Sequence, residues 1–395
     1  MTIAKFLGCW LVVLLAQPVP AADTAPAPIP MSAPLDYQVC QRATASTGQI
    51  TIAGSLSVPA DRLEARLVGT SASGELPGTW HPLPHDSRVP AFRGSISGPA
   101  GGWYRLEIRA TRAGVVVAAA TVEHVALGEV FVIAGQSNSA NYGEERNNTT
   151  TGRVAAWDGK TWRLANDPIP GASGEGGSFM PRFGDTLASH LHVPIGLVAM
   201  GIGATSVREW LPAGIRFTNP PTIVHQVVTV GPGEWEALGR IYANFAARMK
   251  ALGPAGFRAV LWHQGESDAH QAAADRTLSG NDYRQQLEKL IAAFRQDIGW
   301  SAPWFVAQVS YHVPSDTGDP AIRAAQKAVW DDGFALPGPD TDTLTGDRRD
   351  GHGQGVHLSG LGLREHAQLW ADQVLPWLDR QFTNAAPATT ASPAR

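Results

Sequence analysis

A short apolar run at residues 130–134, followed at once by Gly-Gln-Ser-Asn at 135–138, most strongly limits the folds open to this chain. The run is typical of a strand buried on both faces, as in a parallel sheet. Open α/β sheets bind ligands at the carboxyl ends of such strands. The hydroxyl of Ser137 is therefore predicted at a ligand-binding edge, although so short a motif is also compatible with a simple polar turn.

From residue 128 onwards, predicted strands and helices alternate. Apolar runs at 193–200, 258–262 and 304–309 indicate further buried strands. Helical spacing of apolar residues from Trp235 to Leu252 predicts one of the helices between them. This alternation favours a parallel sheet with helices on both faces.

Residues 36–127 follow a different pattern. Alternation at 50–58 and 103–110 is typical of half-buried strands, and Gly114 indicates a hairpin. The segment predicts a small β-sandwich. Such a domain could bind carbohydrate or simply pack against its neighbour, because a fold alone does not give a function.

The two ends of the chain are predicted to lie outside these domains. Lys5 and the apolar stretch at 6–16 indicate a signal peptide at 1–21, and hence a secreted or periplasmic protein without membrane insertion. The stretch is shorter than the roughly 18 residues that argue for a membrane span. Residues 22–35, rich in Pro and Ala, are predicted to be a linker, and 383–395 a disordered tail.

The composition argues against several kinds of site and partner. The net charge is -4 and no basic block stands out, so nucleic acid is not expected as a partner. Of the two cysteines, Cys9 lies in the predicted leader and only Cys40 remains. The mature chain is therefore expected to have neither an intrachain disulfide nor a cysteine metal site.

Three further motifs follow Gly-Gln-Ser-Asn in the chain, at 203–206, 263–268 and 355–359. They read Gly-Ala-Thr-Ser, His-Gln-Gly-Glu-Ser-Asp and Gly-Val-His-Leu-Ser. Each follows a predicted strand or precedes a predicted helix. Such positions converge on the carboxyl edge of a doubly wound sheet, so the four motifs are expected to share one crevice.

The shared crevice would contain the parts that acyl transfer needs. Ser137 is the candidate nucleophile, and His357 is the candidate base because imidazole titrates near neutral pH. An oxyanion also needs hydrogen-bond donors. The candidates are the backbone N–H groups of Ser137 and Gly203 and the side-chain amide of Gln264.

The ordered motifs resemble the SGNH-hydrolase superfamily, and within it the carbohydrate acetylesterases of the sialate O-acetylesterase and acetylxylan esterase type. The resemblance covers about residues 128–382. It implies a flavodoxin-like three-layer α/β/α domain there, preceded by the small β-sandwich domain at 36–127. It implies Ser137 as nucleophile, His357 as base and an oxyanion hole at Ser137, Gly203 and Gln264. It also implies no metal and no organic cofactor.

One position departs from the superfamily pattern. The Asp usually found three residues before the catalytic His is Gln354 here. A Gln side chain carries no negative charge, although its carbonyl can accept a hydrogen bond. Glu266 is the first-ranked replacement acid, a Ser–His dyad oriented by a backbone carbonyl is second, and Asp350 is the third alternative.

Other side chains near the motifs are candidates for substrate contacts. Trp157 and Trp162 lie in a Gly-rich region, and aromatic faces suit sugar stacking. Arg208 could touch a polar substrate or pair with a neighbouring acid. Asp350, His352 and His357 do not have the spacing of a strong metal-ligand pattern, so no metal site is predicted.

The sequence therefore predicts a secreted serine esterase that removes O-acetyl groups from a carbohydrate, either an acetylated polysaccharide or a sialic acid. Two alternatives remain open. Gln354 and the extra β-domain would suit a non-catalytic carbohydrate-binding protein on a degenerate esterase fold. The motifs would equally suit an esterase of other short-chain esters.

Overall fold

The computed structural model describes residues 25–312, 314–315 and 318–384. The predicted signal peptide and most of the predicted tail lie outside the described residues. Two short strands fall within the segment predicted to be a linker, and the last helix extends to Asn384. No helix in the described residues is long and apolar enough to cross a membrane.

The first part of the chain consists of strands. They are β1 (Ala27–Pro28), β2 (Met31–Ala33), β3 (Gln38–Gln41), β4 (Thr47–Ser55), β5 (Arg62–Val68), β6 (Thr70–Ser71), β7 (Gly74–Glu75), β8 (His81–Pro82), β9 (Ala91–Pro99) and β10 (Gly101–Arg112). Strands β2, β4 and β9 form one sheet, and β8, β5 and β10 belong to another. Apolar side chains alternate along the strands, and one buried cluster contains residues of both sheets, such as Ile52 and Leu106.

A long strand, β11 (Val115–Gly135), leads from this part into the rest of the chain. The later strands are β12 (Val154–Trp157), β13 (Trp162–Leu164), β14 (Ile195–Ala199), β15 (Arg216–Phe217), β16 (Val227–Gly231), β17 (Glu234–Ala237), β18 (Ala259–His263), β19 (Trp304–Gln308) and β20 (Leu336–Asp340). The helices are α1 (Met180–Leu191), α2 (Arg240–Ala251), α3 (Gly280–Ile298), α4 (Pro320–Asp331), the single turn α5 (Asp350–Gly353) and α6 (Gly360–Asn384).

The end of β11 is the centre of the second part of the sheet. The strand order there is β13-β12-β14-β11-β18-β19-β20. All neighbours are parallel except β13, which runs antiparallel to β12. The chain is therefore a mixed α/β protein with a large central sheet, which confirms the predicted α/β class.

Apolar side chains on both faces of β11 explain why its apolar run is continuous. Val130 and Val132 belong to a buried cluster with residues of α2, α3 and α4. Phe131 and Ile133 belong to another cluster with residues of α1 and α6. Since each face packs against helices, every side chain of the run leaves water on folding.

The helix predicted from Trp235 begins later than expected. Trp235 lies in β17, which pairs with β15 and β16 in a separate three-stranded sheet. Gly239 then takes a φ of 67°, and α2 begins at Arg240. A strand followed directly by a helix places apolar residues at distances that imitate helical spacing.

Candidate active site

Ser137 lies directly after the end of β11, at the carboxyl edge of the parallel strands. Gly135 makes this turn possible, because its φ is 126° and a Cβ there would lie 2.1 Å from the carbonyl oxygen of His263. The N–H of Gln136 donates to that oxygen at 3.0 Å. Ser137 then begins a short 3-10 helix and is 6% exposed.

Asn138, the next residue, connects three of the four motifs. Its Nδ2 donates to Oε1 of Glu266 at 3.0 Å and to the carbonyl oxygen of Val356 at 3.2 Å. Val356 immediately precedes His357. The structure therefore brings the turn of Ser137, the loop of His357 and Glu266 together, as expected for motifs that share one crevice.

Asp350 is the acidic residue beside His357. Nδ1 of His357 lies 3.6 Å from Oδ2 of Asp350. The backbone N–H of His357 donates to Oδ1 of Asp350 at 3.1 Å, and the N–H of Asp350 donates to the carbonyl oxygen of His357 at 3.0 Å. A carboxylate beside Nδ1 suits an imidazole whose other nitrogen acts as a base.

A left-handed turn brings Asp350 back to His357. Gly351 and His352 both have a φ of 57°, and Gly353 has a φ of 83°. The N–H of Gly355 closes the turn by donating to the carbonyl oxygen of Asp350 at 2.9 Å. Gln354, at the usual position of the acid, is exposed on this turn.

The surroundings of His357 change its pKa in both directions. Burial lowers the pKa of His357 below its usual value, and the positive charge of Arg349 acts in the same direction. Asp350 opposes both effects, because its negative charge and hydrogen bonding stabilise the imidazolium. The net direction is downward, which keeps the imidazole neutral and able to accept a proton at neutral pH.

Glu266, the first-ranked replacement acid, has different neighbours. Its Oε1 accepts from Asn138 and lies 3.9 Å from Nδ1 of His263. The carboxyl group is buried, and burial raises its pKa to about 7. The geometry favours Asp350 over Glu266 as the partner of His357, because Asp350 lies beside Nδ1 of His357 whereas the histidine nearest to the Glu266 carboxylate is His263.

Two of the three predicted oxyanion donors have acceptors within the protein. The N–H of Gly203 donates to Oγ of Ser173 at 2.8 Å. Nε2 of Gln264 donates to Oδ2 of Asp268 at 2.6 Å, and it also lies 3.2 Å from Oε1 of Gln136 and 3.3 Å from the carbonyl oxygen of Thr205, which can take its second hydrogen. The N–H of Ser137 makes no such bond to any described residue, so it is the predicted donor that is free to bind an oxyanion.

Tyr142 lies at the site although the sequence gives no signal for it. Its ring stacks on the imidazole of His357, with centroids 5.2 Å apart and an interplanar angle of 29°. The residue is half-buried and follows Ser137 by five positions. Proximity to Ser137 in the chain is the only feature that could have drawn attention to it.

The prediction that Trp157 and Trp162 contact a sugar is wrong. They lie on the paired strands β12 and β13, and their rings stack with centroids 6.0 Å apart. Each residue is 6% exposed and belongs to the core on the α2, α3 and α4 side of the sheet. The Gly-rich region is a compact edge hairpin, so these rings are not available to a ligand.

Arg208, the other predicted substrate contact, is fully buried. It donates to Oγ of Ser206 at 2.9 Å and to the carbonyl oxygen of Pro220 at 2.7 Å, and its NH2 lies 3.4 Å from Oδ1 of Asp268. The guanidinium therefore links loops behind the site. The alternative expectation of an ion pair with an acid agrees with the structure, but the acid is Asp268 and the pair is not at the surface.

The described residues contain no group of three or more His, Cys, Asp or Glu side chains that could hold a metal ion. His352, which stood with Asp350 and His357 in the sequence, is exposed on the left-handed turn.

Comparison with known families decides the identity of the chain. The family described as "Carbohydrate esterase, sialic acid-specific acetylesterase" matches residues 127–375. The chain belongs to this family. The match spans all four motifs and confirms the predicted resemblance to carbohydrate acetylesterases and the assignment as a carboxylic ester hydrolase. A comparison with curated protein sequences gives no match.

The solved structures that match this chain are distant from it in sequence. A carbohydrate acetylesterase from Xanthomonas citri is 17% identical, with 85% of this chain and 72% of that chain covered and a TM-score of 0.49. A protein from Arabidopsis thaliana is 19% identical, with 64% and 98% covered and a TM-score of 0.43. The protein NanS is 16% identical, with 64% and 98% covered and a TM-score of 0.41.

Proposed function

We propose that this esterase is a serine hydrolase that removes O-acetyl groups from a carbohydrate through an acyl-enzyme on Ser137. The observation that carries the proposal is the approach of the Asp350 carboxylate to Nδ1 of His357 at 3.6 Å. Because this contact involves Nδ1 of His357, we assign Nε2 as the nitrogen that takes the proton of Ser137. Asn138 supports the same arrangement by tying the turn of Ser137 to the loop of His357.

The reaction proceeds in two balanced steps. Oγ of Ser137 attacks the acetyl carbonyl carbon, and its proton passes to Nε2 of His357. The bond between that carbon and the sugar oxygen breaks, and the proton moves from His357 to the sugar oxygen. Water then attacks the acetyl-enzyme and gives its proton to His357, and acetate leaves as Oγ of Ser137 regains a proton.

Asp350 acts through His357 as a positioning residue. Its carboxylate holds Nδ1 of His357 and stabilises the imidazolium that forms when Ser137 loses its proton. The backbone N–H of Ser137 donates to the oxyanion. The N–H of Gly203 can join it only by giving up Ser173, and Gln264 only by giving up one of its acceptors, Asp268, Gln136 or Thr205.

We propose the same SGNH-type architecture that the sequence resemblance implies. The alternation of Val130 and Phe131 between two helix-packed clusters supports a three-layer α/β/α domain. The cluster that contains both Ile52 and Leu106 supports a β-sandwich ahead of it. Strand β11 is continuous and would join the proposed β-sandwich to the proposed α/β/α domain without a flexible linker.

The proposed substrate is an acetylated polysaccharide or an acetylated sialic acid. The family description, which names sialic acid, supports the second. Export of the protein, to the periplasm or the medium, is proposed from the N-terminal sequence pattern. An exported esterase would meet glycans outside the cytoplasm.

Acetate release tests the proposal. The substrates are acetylated xylan and O-acetylated sialic acid, each incubated with the wild type, Ser137→Ala and Ser95→Ala. Ser95 is exposed on β9 and serves as the matched control. Release by the wild type and Ser95→Ala but not by Ser137→Ala is expected. Equal release by Ser137→Ala would exclude the mechanism, and no release from any acetylated glycan would favour a binding protein.

A further inference from the structure

The site holds fewer free hydrogen-bond donors than an oxyanion normally receives. Gly203 donates its N–H to Ser173, and Nε2 of Gln264 has Asp268, Gln136 and Thr205 as acceptors for its two hydrogens. Among the described residues this leaves the backbone N–H of Ser137 from the predicted set. A tetrahedral intermediate is stabilised best by two or more donors that are already aimed at it.

A phenolic hydroxyl lies where a further donor is needed. A Cβ at position 203 would come within 2.4 Å of the Tyr142 hydroxyl oxygen and 2.6 Å of the ring carbon that carries it. A Cβ at Gly174 would come within 2.9 Å of Cδ2 of the same ring. The two glycines therefore form a slot for the Tyr142 ring, with its hydroxyl directly over Gly203.

A second contact of Tyr142, with His357, holds the Tyr142 ring beside the proposed base. The ring stacks on the imidazole of His357 with centroids 5.2 Å apart. Tyr142 thus extends from His357 to Gly203, the two residues between which the reacting carbonyl has to bind. The residue is half-buried, and its hydroxyl has no acceptor in the described part of the chain, so the O–H is available to a ligand.

We propose that the hydroxyl of Tyr142 donates a hydrogen bond to the oxyanion that forms on the acetyl carbonyl, which makes Tyr142 a catalytic residue. This inference rests on the proposed esterase function. The hydroxyl takes the place of the Gly203 N–H, which donates to Ser173 instead of the oxyanion. The imidazole of His357 stacks on the Tyr142 ring and limits its movement. A donor held in place before the reaction needs little reorganisation when the charge develops.

The decisive variant is Tyr142→Phe, which keeps the ring and its stacking on His357 but deletes the hydroxyl. Tyr37→Phe is the matched control, because Tyr37 also stacks on a histidine, His124, with centroids 4.2 Å apart and lies outside the site. The measurements are kcat and KM for acetyl ester hydrolysis and the inhibition constant of an arylboronic acid, which forms a tetrahedral adduct with a serine. Thermal unfolding of each variant shows that it is folded.

We expect kcat of Tyr142→Phe to fall by about 100-fold, with little change in KM, and boronate binding to weaken by a similar factor. Tyr37→Phe keeps wild-type values. A Tyr142→Phe enzyme with wild-type kcat would overturn the inference and leave the proposed esterase function intact. A wild type that hydrolyses no acetyl ester would overturn both.

A variant of Ser173 separates the two possible donors. Ser173→Ala frees the N–H of Gly203. If Tyr142 is the donor, the loss caused by Tyr142→Phe is also seen in the Ser173→Ala background. A higher kcat in Ser173→Ala that no longer responds to Tyr142→Phe would assign the donor role to Gly203 and contradict the inference.

Discussion

Nδ1 of His357 lies 3.6 Å from Oδ2 of Asp350, although Asp350 precedes it by seven positions instead of the usual three. The left-handed residues between them fold the additional chain outwards and return the carboxylate to the imidazole. The N–H of Asp350 also donates to the carbonyl oxygen of His357, and the N–H of His357 donates to Oδ1 of Asp350. Replacement of the usual Asp by Gln354 therefore does not remove the acid from the site.

Asp350→Asn is expected to lower kcat/KM for acetyl ester hydrolysis by roughly 100-fold. The Asn side chain keeps the size of Asp but cannot stabilise the imidazolium. Steady-state kinetics with an aryl acetate give the value. Glu266→Gln is the comparison, because Gln can still accept the hydrogen bond from Asn138. If kcat/KM fell more in Glu266→Gln than in Asp350→Asn, Glu266 would be the acid that acts on His357.

The pH dependence of kcat/KM tests the interaction between Asp350 and His357. The proposed reaction needs neutral His357, so activity is expected to fall on the acid side through the pKa of His357, which burial lowers. Asp350 raises this pKa, so its removal lowers the pKa further. The acid limb of Asp350→Asn is therefore expected at lower pH than that of the wild type. An acid limb that is unchanged, or that lies at higher pH, would show that Asp350 does not raise the pKa of His357.

Glu129→Gln is expected to destabilise the protein by about 3 kcal/mol without changing kcat. Glu129 is fully buried and pairs with Arg42 at 2.6 Å and Arg258 at 2.7 Å. The neutral Gln leaves both guanidinium groups without their counter-charge. Glu129 lies within the buried part of β11, six positions before Gly135, so the effect is expected to be confined to stability. Urea unfolding gives the free energy.

Arg88→Ala is the matched control for that prediction. Arg88 pairs with Asp86 at 2.9 Å, but its side chain is 86% exposed. Exposed pairs contribute about 0–1 kcal/mol. A loss from Arg88→Ala as large as that from Glu129→Gln would show that burial does not set the energy of these pairs.

Trp157→Ala is expected to reduce the free energy of unfolding by about 3–5 kcal/mol and to leave KM for acetylated glycans unchanged. The side chain fills part of the core and is not available to a ligand. Denaturant unfolding and glycan kinetics give the two values. Lys160→Ala, on the exposed turn of the same hairpin, should change neither. A raised KM with unchanged stability would restore the sugar-contact prediction.

The parts of the site that depend on strand order could be predicted from the sequence. The apolar run before Ser137 determines a buried strand, and the carboxyl ends of parallel strands meet at one edge. This is why Ser137, Asn138, Glu266 and His357 could be expected together. The resemblance to the family added the proposed roles of Ser137 and His357.

The parts that depend on individual turns and exact packing could not be predicted. No rule of spacing shows that Gly351 and His352 adopt left-handed conformations and return Asp350 to His357. Trp157 and Trp162 stand in a region with turn-like composition, and only the short hairpin β12–β13 buries them. The contact of Tyr142 with Gly203 depends on two glycines far from it in the chain.

The most direct test of the account is to locate the reactive serine. The full chain is treated with a fluorophosphonate, and the modified residue is identified by peptide mass spectrometry. We predict one modification, on Ser137, which is absent in Ser137→Ala and forms much more slowly in Asp350→Asn. Acetate release by an enzyme that is modified at another serine, or at none, would contradict the acyl-enzyme on Ser137.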